Sequence, residues 1–193
     1  MEFFNAFKQL GYYANDAVTC DTIAPMANFD ATKFMGTWYE QMHVKDPQEP
    51  TSYQCSTAQY YNLDASAGTF KVYNSFQTPL FGHYLPRIGV HADATCDNQA
   101  DCFVVFFGKT HEQPNLHIVE TDYENYSINY NCDTDLNRVY VWINTRDPTV
   151  SDEFLQSLYS RALELFPNFD ASTFDPQLHQ GDGCSYGDLP SLI

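Results

Sequence analysis

The sequence predicts an all-β protein: an eight-stranded antiparallel up-and-down β-barrel with one C-terminal α-helix packed against it. Eight short segments with strand-like patterns follow one another, and turn residues rather than helices separate them. Phe and Tyr, which strands favour, occur 15 and 14 times. A single late segment has the period of an amphipathic helix. Consecutive antiparallel strands can remove their exposed edges by closing on themselves, which favours a barrel.

The size and charge of the chain limit its class. Its 193 residues, 44% of them hydrophobic, suit a single core, so we assign residues 1–193 to one domain. The formal net charge of −16 would repel nucleic acid and anionic lipid headgroups, and neither is an expected partner. No apolar run approaches the roughly 20 residues of a membrane-spanning helix, so we expect no membrane insertion.

An N-terminal extension, residues 1–19, precedes the predicted barrel. Phe3, Phe4, Phe7 and Leu10 have the spacing of one helix face. This stripe predicts a short helix packed on the outside of the barrel or over one end. The alternative is a functional role, as a dimer contact or as a lid over a ligand.

The barrel is predicted to occupy residues 34–146. Its first strand enters through Gly36, whose missing side chain leaves room for the backbone. Trp38 follows, a residue that buries about 150–250 Å² and must face a core. The eight predicted strands are residues 34–45, 53–63, 68–76, 81–92, 102–109, 115–121, 125–132 and 138–145. Prolines or clusters of Asp, Asn, Ser and Gly separate them, as hairpin turns require.

The period of the sequence changes after the barrel, and residues 150–166 are predicted to form the helix. Ser151 is the expected N-cap, acidic residues fill the first turn, and Pro167 ends the helix. The remaining tail, residues 167–193, is rich in Gly and Asp and contains the last cysteine.

Six cysteines without a Cys-X-X-Cys pair or a histidine cluster favour disulfides, and we expect no metal site. Disulfides are typical of an oxidising compartment, so we expect a secreted, extracellular protein. Six cysteines allow fifteen pairings, and their spacing alone does not choose among them.

No catalytic group assembles in the sequence. The six histidines are scattered without metal-ligand spacing. All six cysteines can be paired, which leaves no thiolate to act as a nucleophile. We therefore expect neither enzymatic activity nor a catalytic cofactor.

Three separated motifs resemble the lipocalin signature: Gly36-Thr37-Trp38-Tyr39-Glu40, then Thr121-Asp122-Tyr123-Glu124-Asn125-Tyr126, then Arg146 before Asp147-Pro148. Within that family the chain is most similar to apolipoprotein D, the insect bilin-binding proteins and the crustacyanins, which carry astaxanthin. The tail, residues 168–174 and 181–186, is similar to the crustacyanin ending. The resemblance covers roughly residues 20–184 and implies a cup-shaped barrel with one closed end.

The resemblance also implies structural roles for named residues. It pairs Cys20 with Cys132 and Cys55 with Cys184, which leaves Cys96 with Cys102 across one hairpin, a departure from the basic two-bridge pattern. It places Arg146 over the indole of Trp38 at the closed end, as a cation–π contact. The closed-end motif is Gly36, Trp38, Thr121, Asp122, Tyr123 and Arg146.

Alternate residues of each strand are expected to face the ligand cavity, in the register that the resemblance implies. The expected lining is Met42, Val44, Ser56, Ala58, Tyr60, Val72, Asn74, Phe76, Ile88, Val90, Val104, Phe106, Leu116, Ile118, Ser127, Asn129, Tyr140 and Trp142. For each of them, plain core packing is the alternative. Glu40 has the same inward parity, as does Asn144, and we expect Glu40 to hydrogen-bond to backbone or to a tyrosine near the base rather than to a ligand.

The function that the resemblance implies is that of a carrier for one small, elongated hydrophobic molecule. The tail favours a carotenoid such as astaxanthin as the bound chromophore. Biliverdin is the first alternative, although few Lys or Arg residues are available for its propionates, and a colourless steroid or fatty acid is the second. A ligand-free interaction module that uses the open-end loops remains a further alternative, and a barrel filled by large side chains would favour it.

Two further features concern partners and modification. The N-terminal stripe predicts association with a second copy or with another lipocalin subunit. The sequon Asn125-Tyr126-Ser127 predicts a glycan on Asn125, at a hairpin tip.

Overall fold

Two helices and ten strands form in the part of the chain that the structure, a computed structural model, describes: residues 18–45, 53–96, 100–174 and 180–187. The helices are α1 (Ala31–Phe34) and α2 (Asp152–Leu165), and a 3-10 turn follows at Ala171–Thr173. The strands are β1 (Gly36–His43), β2 (Gln54–Asp64), β3 (Thr69–Gln77), β4 (Pro79–Leu80), β5 (His83–Tyr84), β6 (Ile88–Cys96), β7 (Asp101–Phe106), β8 (Leu116–Thr121), β9 (Tyr126–Asp133) and β10 (Arg138–Thr145). The predicted N-terminal stripe, Phe3 to Leu10, lies outside the described residues.

Eight of these strands close into an antiparallel barrel in the order β1-β10-β9-β8-β7-β6-β3-β2. Consecutive barrel strands are neighbours, and β1 closes the sheet against β10, which confirms the predicted up-and-down topology. The other two strands, β4 and β5, form a small hairpin in the connection between β3 and β6.

Two strand starts differ from the prediction. Phe34 ends the one-turn helix α1, so β1 begins only at Gly36. The predicted strand 81–92 is wrong in its first part, because Phe81 and Gly82 have positive φ angles of 50° and 79° and form the tip of the small hairpin. The barrel strand β6 therefore begins at Ile88.

The C-terminal helix α2 lies where the sequence predicts it and packs on the outer wall of the barrel. Ser151 Oγ accepts a hydrogen bond from the backbone N–H of Phe154 at 3.2 Å, which caps the helix. Buried residues of its inner face, Leu155, Leu158 and Ala162, pack on outward residues of β9 and β10. No helix in the described part of the chain is both long and apolar enough to cross a membrane.

Three disulfides join the pairs that the resemblance implied: Cys20–Cys132, Cys55–Cys184 and Cys96–Cys102. The first ties the N-terminal lead to β9, and the second ties the tail to β2. The third crosses the β6–β7 hairpin, where its two cysteines are register partners. Gln180 of the tail adds to the second link, because its Nε2 donates to the carbonyls of Glu40 and Ser56 on adjacent strands.

A β-bulge in β1 reverses which side chains at the end of that strand face the inside of the barrel. The register against β10 shifts between Glu40 and Met42, and one extra residue turns the following side chains to the opposite face. Met42 and Val44 therefore pack in the apolar cluster under α2, outside the barrel, and His43 takes the inward position opposite Trp142. The prediction that Met42 and Val44 face the cavity is wrong for this reason.

Candidate functional site

The closed end of the barrel has Trp38 as its floor and Arg146 as the cover of that floor. Trp38 is 1% exposed, and its Nε1 donates to the carbonyl of Phe34 at 3.0 Å. The Arg146 guanidinium lies 3.7 Å from the centre of the Trp38 ring, which confirms the expected cation–π contact. Burial lowers the pKa of Arg146 from its ordinary value, but a guanidinium stays protonated under any folding condition.

Arg146 also ties three segments of the closed end together. It donates hydrogen bonds of 2.9–3.1 Å to the carbonyls of Lys33, Phe34, Met35, Thr37 and Tyr123. Three of these carbonyls lie at the end of helix α1, where the last C=O groups have no partner within the helix, and the Phe34 carbonyl accepts from Trp38 Nε1 as well. Gly36 suits this packing, because its φ of 102° is strained for other residues and a Cβ there would lie 3.3 Å from Arg146 Nη1.

Asp122 holds the turn between β8 and β9. Its Oδ1 accepts the backbone N–H groups of residues 124–126 at 2.7–3.1 Å, and its Oδ2 accepts from Asn125 Nδ2 at 2.7 Å. Partial burial opposes the charge, but the hydrogen bonds outweigh it and hold the pKa of Asp122 below its ordinary value. Thr121 Oγ1 accepts the N–H of Tyr123, so the predicted motif is a structural turn. Asn125 is exposed, and its glycosylation stays a prediction.

Strand register identifies the side chains that share the inner face with Trp38, because directly paired residues point to the same side of a sheet. Trp38 pairs with Ala58 of β2. From there the row continues to Asn74 of β3 and Val90 of β6. The same pairing, followed round the barrel, gives an inward position to most of the predicted lining: Ala58, Tyr60, Val72, Asn74, Phe76, Ile88, Val90, Val104, Phe106, Leu116, Ile118, Ser127, Asn129, Tyr140 and Trp142.

Ser56 needs separate treatment, because it lies in a second irregularity of the sheet. The register between β2 and β3 shifts between Gln54 and Thr57, beside Cys55, whose φ is 57°. Ser56 is buried there. Contact of any of these residues with a ligand stays a prediction.

The inner face changes with depth from packed to open. Near the floor the inward side chains are buried in one core, which includes Phe34, Trp38, Tyr60, Phe70, Val72, Ala92, Ala94, Val104 and Ile118. Farther from the floor the inward side chains Phe76, Val90, Tyr140 and Trp142 are only half-buried, and Ile88 is 58% exposed. Packing therefore fills the closed half of the barrel and leaves the inner face of the other half accessible.

The inner face also has two chemically different sides. Strands β2, β3, β6, β7 and β8 supply mainly aliphatic and aromatic groups. Strands β1, β9 and β10 supply a polar group of residues that we call the polar wall: Glu40, His43, Ser127, Asn129 and Asn144. On the apolar side, Asn74 Oδ1 is buried without a hydrogen-bond partner among the described residues.

The polar wall contains a carboxylate–imidazole pair that the sequence did not predict. Glu40 Oε1 and His43 Nδ1 lie 2.7 Å apart, with side chains 16% and 2% exposed. The expectation that Glu40 bonds to backbone or to a tyrosine is wrong, because the bulge brings His43 to the same face. Tyr60 is nearby; burial and then the Glu40 carboxylate raise the pKa of its phenol. Within the described ranges, no three His, Cys, Asp or Glu side chains could hold a metal ion together.

Exposed apolar side chains lie at the open end, in the β3–β6 connection and after β7. Phe81 and Phe107 are 94% and 90% exposed, each at a turn with positive φ, and Leu80, Leu85 and Ile88 add to them. Exposed apolar groups of this kind mark ligand entrances or interaction surfaces. Inside that rim, Tyr53 stacks on Phe76 with ring centres 3.5 Å apart. The arrangement can enclose an apolar molecule and hydrogen-bond to it from one side.

Comparisons with known proteins agree with this geometry. The family model of the Lipocalin-like domain matches residues 29–176. Insecticyanin-A of Manduca sexta is 27% identical over 180 residues, which cover 90% of this chain and 93% of that protein. The outer membrane lipoprotein Blc of Escherichia coli (strain K12) is 31% identical over 147 residues, or 76% of this chain and 77% of that protein. The solved structure of lobster apocrustacyanin A1 has the same fold, with a TM-score of 0.62, 17% identity, and coverage of 85% of this chain and 94% of that one.

Proposed function

The chain belongs to the lipocalin family, and from that premise we propose that it is a secreted carrier that holds one small, elongated hydrophobic molecule in its barrel. The observation that carries this proposal is the change of packing with depth. Inward residues of the open half, such as Val90 and Trp142, are only half-buried although they point into the barrel. A ligand-free module with a filled interior would bury them.

We propose a pigment as the cargo, with a carotenoid such as astaxanthin as the first candidate. The apolar side of the cavity and the stacked pair Tyr140 and Trp142, whose ring centres are 5.7 Å apart, suit a long conjugated chain. The crustacyanin-like tail supports the same choice.

Biliverdin is the second candidate, and the polar wall favours it. A bilin carries N–H groups along one edge, and Glu40 and Asn144 offer hydrogen-bond acceptors on one side of the cavity. The resemblance to the insect bilin-binding proteins also supports it. A colourless steroid or fatty acid would need neither the stacked aromatics nor the polar wall.

The visible absorption spectrum of the natively purified protein is the first test. A bound carotenoid or bilin gives an absorption band in the visible range that denaturation shifts or releases, with on the order of one chromophore per chain. Titration of the colourless protein with astaxanthin, biliverdin and palmitate would rank the ligands. A preparation that is colourless and takes up neither pigment would refute the pigment proposal, and failure with all three would refute the carrier.

A matched pair of variants tests whether the ligand binds inside the barrel. Val90→Trp places a bulky ring on the half-buried inner face of β6, and Thr95→Trp places the same ring on the exposed outer face of that strand. We expect Val90→Trp to weaken uptake about tenfold or more by filling the cavity, and Thr95→Trp to leave it unchanged. Equal uptake by the two variants would place the ligand outside the barrel.

The extracellular location belongs to the same proposal. Three disulfides support an oxidising compartment, because cytosolic thiols are kept reduced. Association with a second copy or with another lipocalin subunit through the stripe Phe3 to Leu10 stays a prediction, since those residues lie outside the described ranges.

A further inference from the structure

The polar wall holds a hydrogen-bond acceptor that the packing of the barrel leaves unused. Glu40 faces inward two residues after Trp38, and its Oε1 is bonded to His43 Nδ1 at 2.7 Å. Its second carboxylate oxygen, Oε2, accepts no hydrogen bond from any residue that the structure describes. An ionised carboxylate has two acceptor oxygens. The Glu40 side chain is 16% exposed, so Oε2 is accessible to a donor that enters the barrel.

Asn144 provides a second polar group at the same place. It is the register partner of Glu40 across β1 and β10, so the two side chains are neighbours on the inner face. Asn144 is buried, and its amide, too, makes no side-chain hydrogen bond within the described ranges. The next amide of the wall, Asn129, is different, because its Oδ1 already accepts from Ser127 Oγ at 2.6 Å.

The charge around this place favours a donor and opposes an anion. Near Glu40 the inner face carries no Lys or Arg among the described residues, because Arg138, which shares the inward parity of β10, lies at the opposite end of that strand from Asn144. Arg146 is engaged by backbone carbonyls beyond the indole of Trp38. His43 is bonded to Glu40. The pair has no net charge when the imidazole is protonated and one net negative charge when it is neutral, so it supplies no net positive charge. A ligand carboxylate at this depth would meet the Glu40 carboxylate without a free cation to balance it.

We infer that the deep end of the cavity binds a hydroxyl or N–H group of the ligand through Glu40, which His43 positions, with Asn144 beside it, and that it rejects a carboxylate there. The inference rests on the proposed carrier function and narrows the ligand class. The same donor chemistry can come from the ring hydroxyls of a carotenoid or from the pyrrole N–H groups of a bilin.

Matched ligands separate the terminal groups from the apolar body. 1-Hexadecanol and palmitate share a chain length and differ in the polar end, and astaxanthin and canthaxanthin share ring ketones but only astaxanthin carries ring hydroxyls. We expect the wild-type protein to bind the alcohol about tenfold more tightly than the acid, and astaxanthin more tightly than canthaxanthin. Biliverdin supplies the N–H arm of the same experiment.

Glu40→Gln tests the assignment, because it removes the charge and keeps the size of the side chain. We expect the alcohol-to-acid preference to shrink about tenfold in this variant, with loss of affinity for whichever pigment donates to Glu40. Glu120→Gln is the matched control, since Glu120 is a carboxylate on the outer wall that binds Arg161, and it should leave the preference unchanged. If Glu40→Gln does not fold, Glu40→Asp, which withdraws the carboxylate by one methylene, should show a smaller change in the same direction.

The outcomes distinguish this inference from the proposal on which it rests. An unchanged alcohol-to-acid preference in a folded Glu40→Gln protein that still binds both ligands would overturn the role of Glu40 and leave the carrier function standing. Loss of astaxanthin affinity alone would identify a hydroxyl as the donor, and loss of biliverdin affinity alone would identify an N–H group. Absence of binding by the wild-type protein to every ligand of the set would overturn the carrier function itself.

Discussion

At the scale of single residues, the structural role of Arg146 depends on the shape of its side chain as much as on its charge. A guanidinium carries five N–H donors in a planar fork, and here its nitrogens reach carbonyls of α1, β1 and the β8–β9 turn while its face lies on Trp38. An ammonium group is a point charge with three donors and cannot reproduce that geometry. The closed end therefore requires arginine, and lysine is a poor substitute.

We predict that Arg146→Lys destabilises the fold although it conserves the charge. Several partly buried carbonyls would lose the hydrogen bond from Arg146, at a cost of about 2–4 kcal/mol in the free energy of unfolding. Thermal denaturation followed by circular dichroism should show a midpoint roughly 5–15 °C lower for a chain of this size. Arg161→Lys is the control, because Arg161 forms an exposed ion pair with Glu120 that is worth less than about 1 kcal/mol. Equal shifts for the two variants would contradict this role of Arg146.

Residue chemistry explains why the sequence predicts one inner pair and misses another. Trp38 and Arg146 are predictable because a large indole requires burial and the resemblance assigns a cation to cover it. The Glu40–His43 pair is not predictable, because residues three apart in a regular strand point to opposite faces. Only the bulge between Glu40 and Met42 brings the side chains of Glu40 and His43 to the same inner face. No glycine or turn residue lies at that point to indicate a bulge.

At the scale of elements, the strands and α2 were predicted nearly in full, since alternation and capping are local signals. The sequence pattern predicts a barrel strand from residue 81 onward, which takes in only the tip and second strand of the small hairpin at Pro79–Leu80 and His83–Tyr84. Its residues are apolar and aromatic like those of a core strand, and their exposure depends on their position beyond the rim. The inner lining was mostly predictable because one anchor fixes a whole strand, and it failed for Met42 and Val44, where the phase changes.

The three disulfides should contribute unequally to stability, and we predict the order from the loops that they close. Cys20–Cys132 spans 112 residues and Cys96–Cys102 spans 6. The chain-entropy relation gives about 5 kcal/mol for the long loop and about 2 kcal/mol for the short one. Urea denaturation of the Cys20→Ser/Cys132→Ser and Cys96→Ser/Cys102→Ser proteins should show the larger loss for the first pair. A larger loss for the hairpin pair would show that local geometry outweighs loop closure here.

At the scale of the whole molecule, the barrel combines a rigid closed half with an accessible open half. The closed half is fixed by the buried core around Trp38 and by Arg146, while exposed apolar side chains that include Phe81 and Phe107 lie on one side of the entrance. The formal net charge of −16 makes copies of the chain repel one another, which opposes association through the exposed apolar side chains. This division lets one end maintain the fold while the other accepts a ligand.

The two tryptophans sample the two halves, and we predict that they respond differently to a water-soluble quencher. Trp38 is 1% exposed at the floor, whereas Trp142 is half-buried on the inner face of β10, level with His43. Acrylamide should therefore quench mainly Trp142 in the ligand-free protein, and a bound colourless ligand such as 1-hexadecanol should lower the quenching constant about threefold by occupying the space around that ring. In the Trp142→Phe variant only Trp38 fluoresces, so acrylamide should quench its emission weakly, with or without ligand. Strong quenching of that variant would show that the closed end admits solvent, and ligand-independent quenching of the wild-type protein would show that the ligand does not reach the β10 wall.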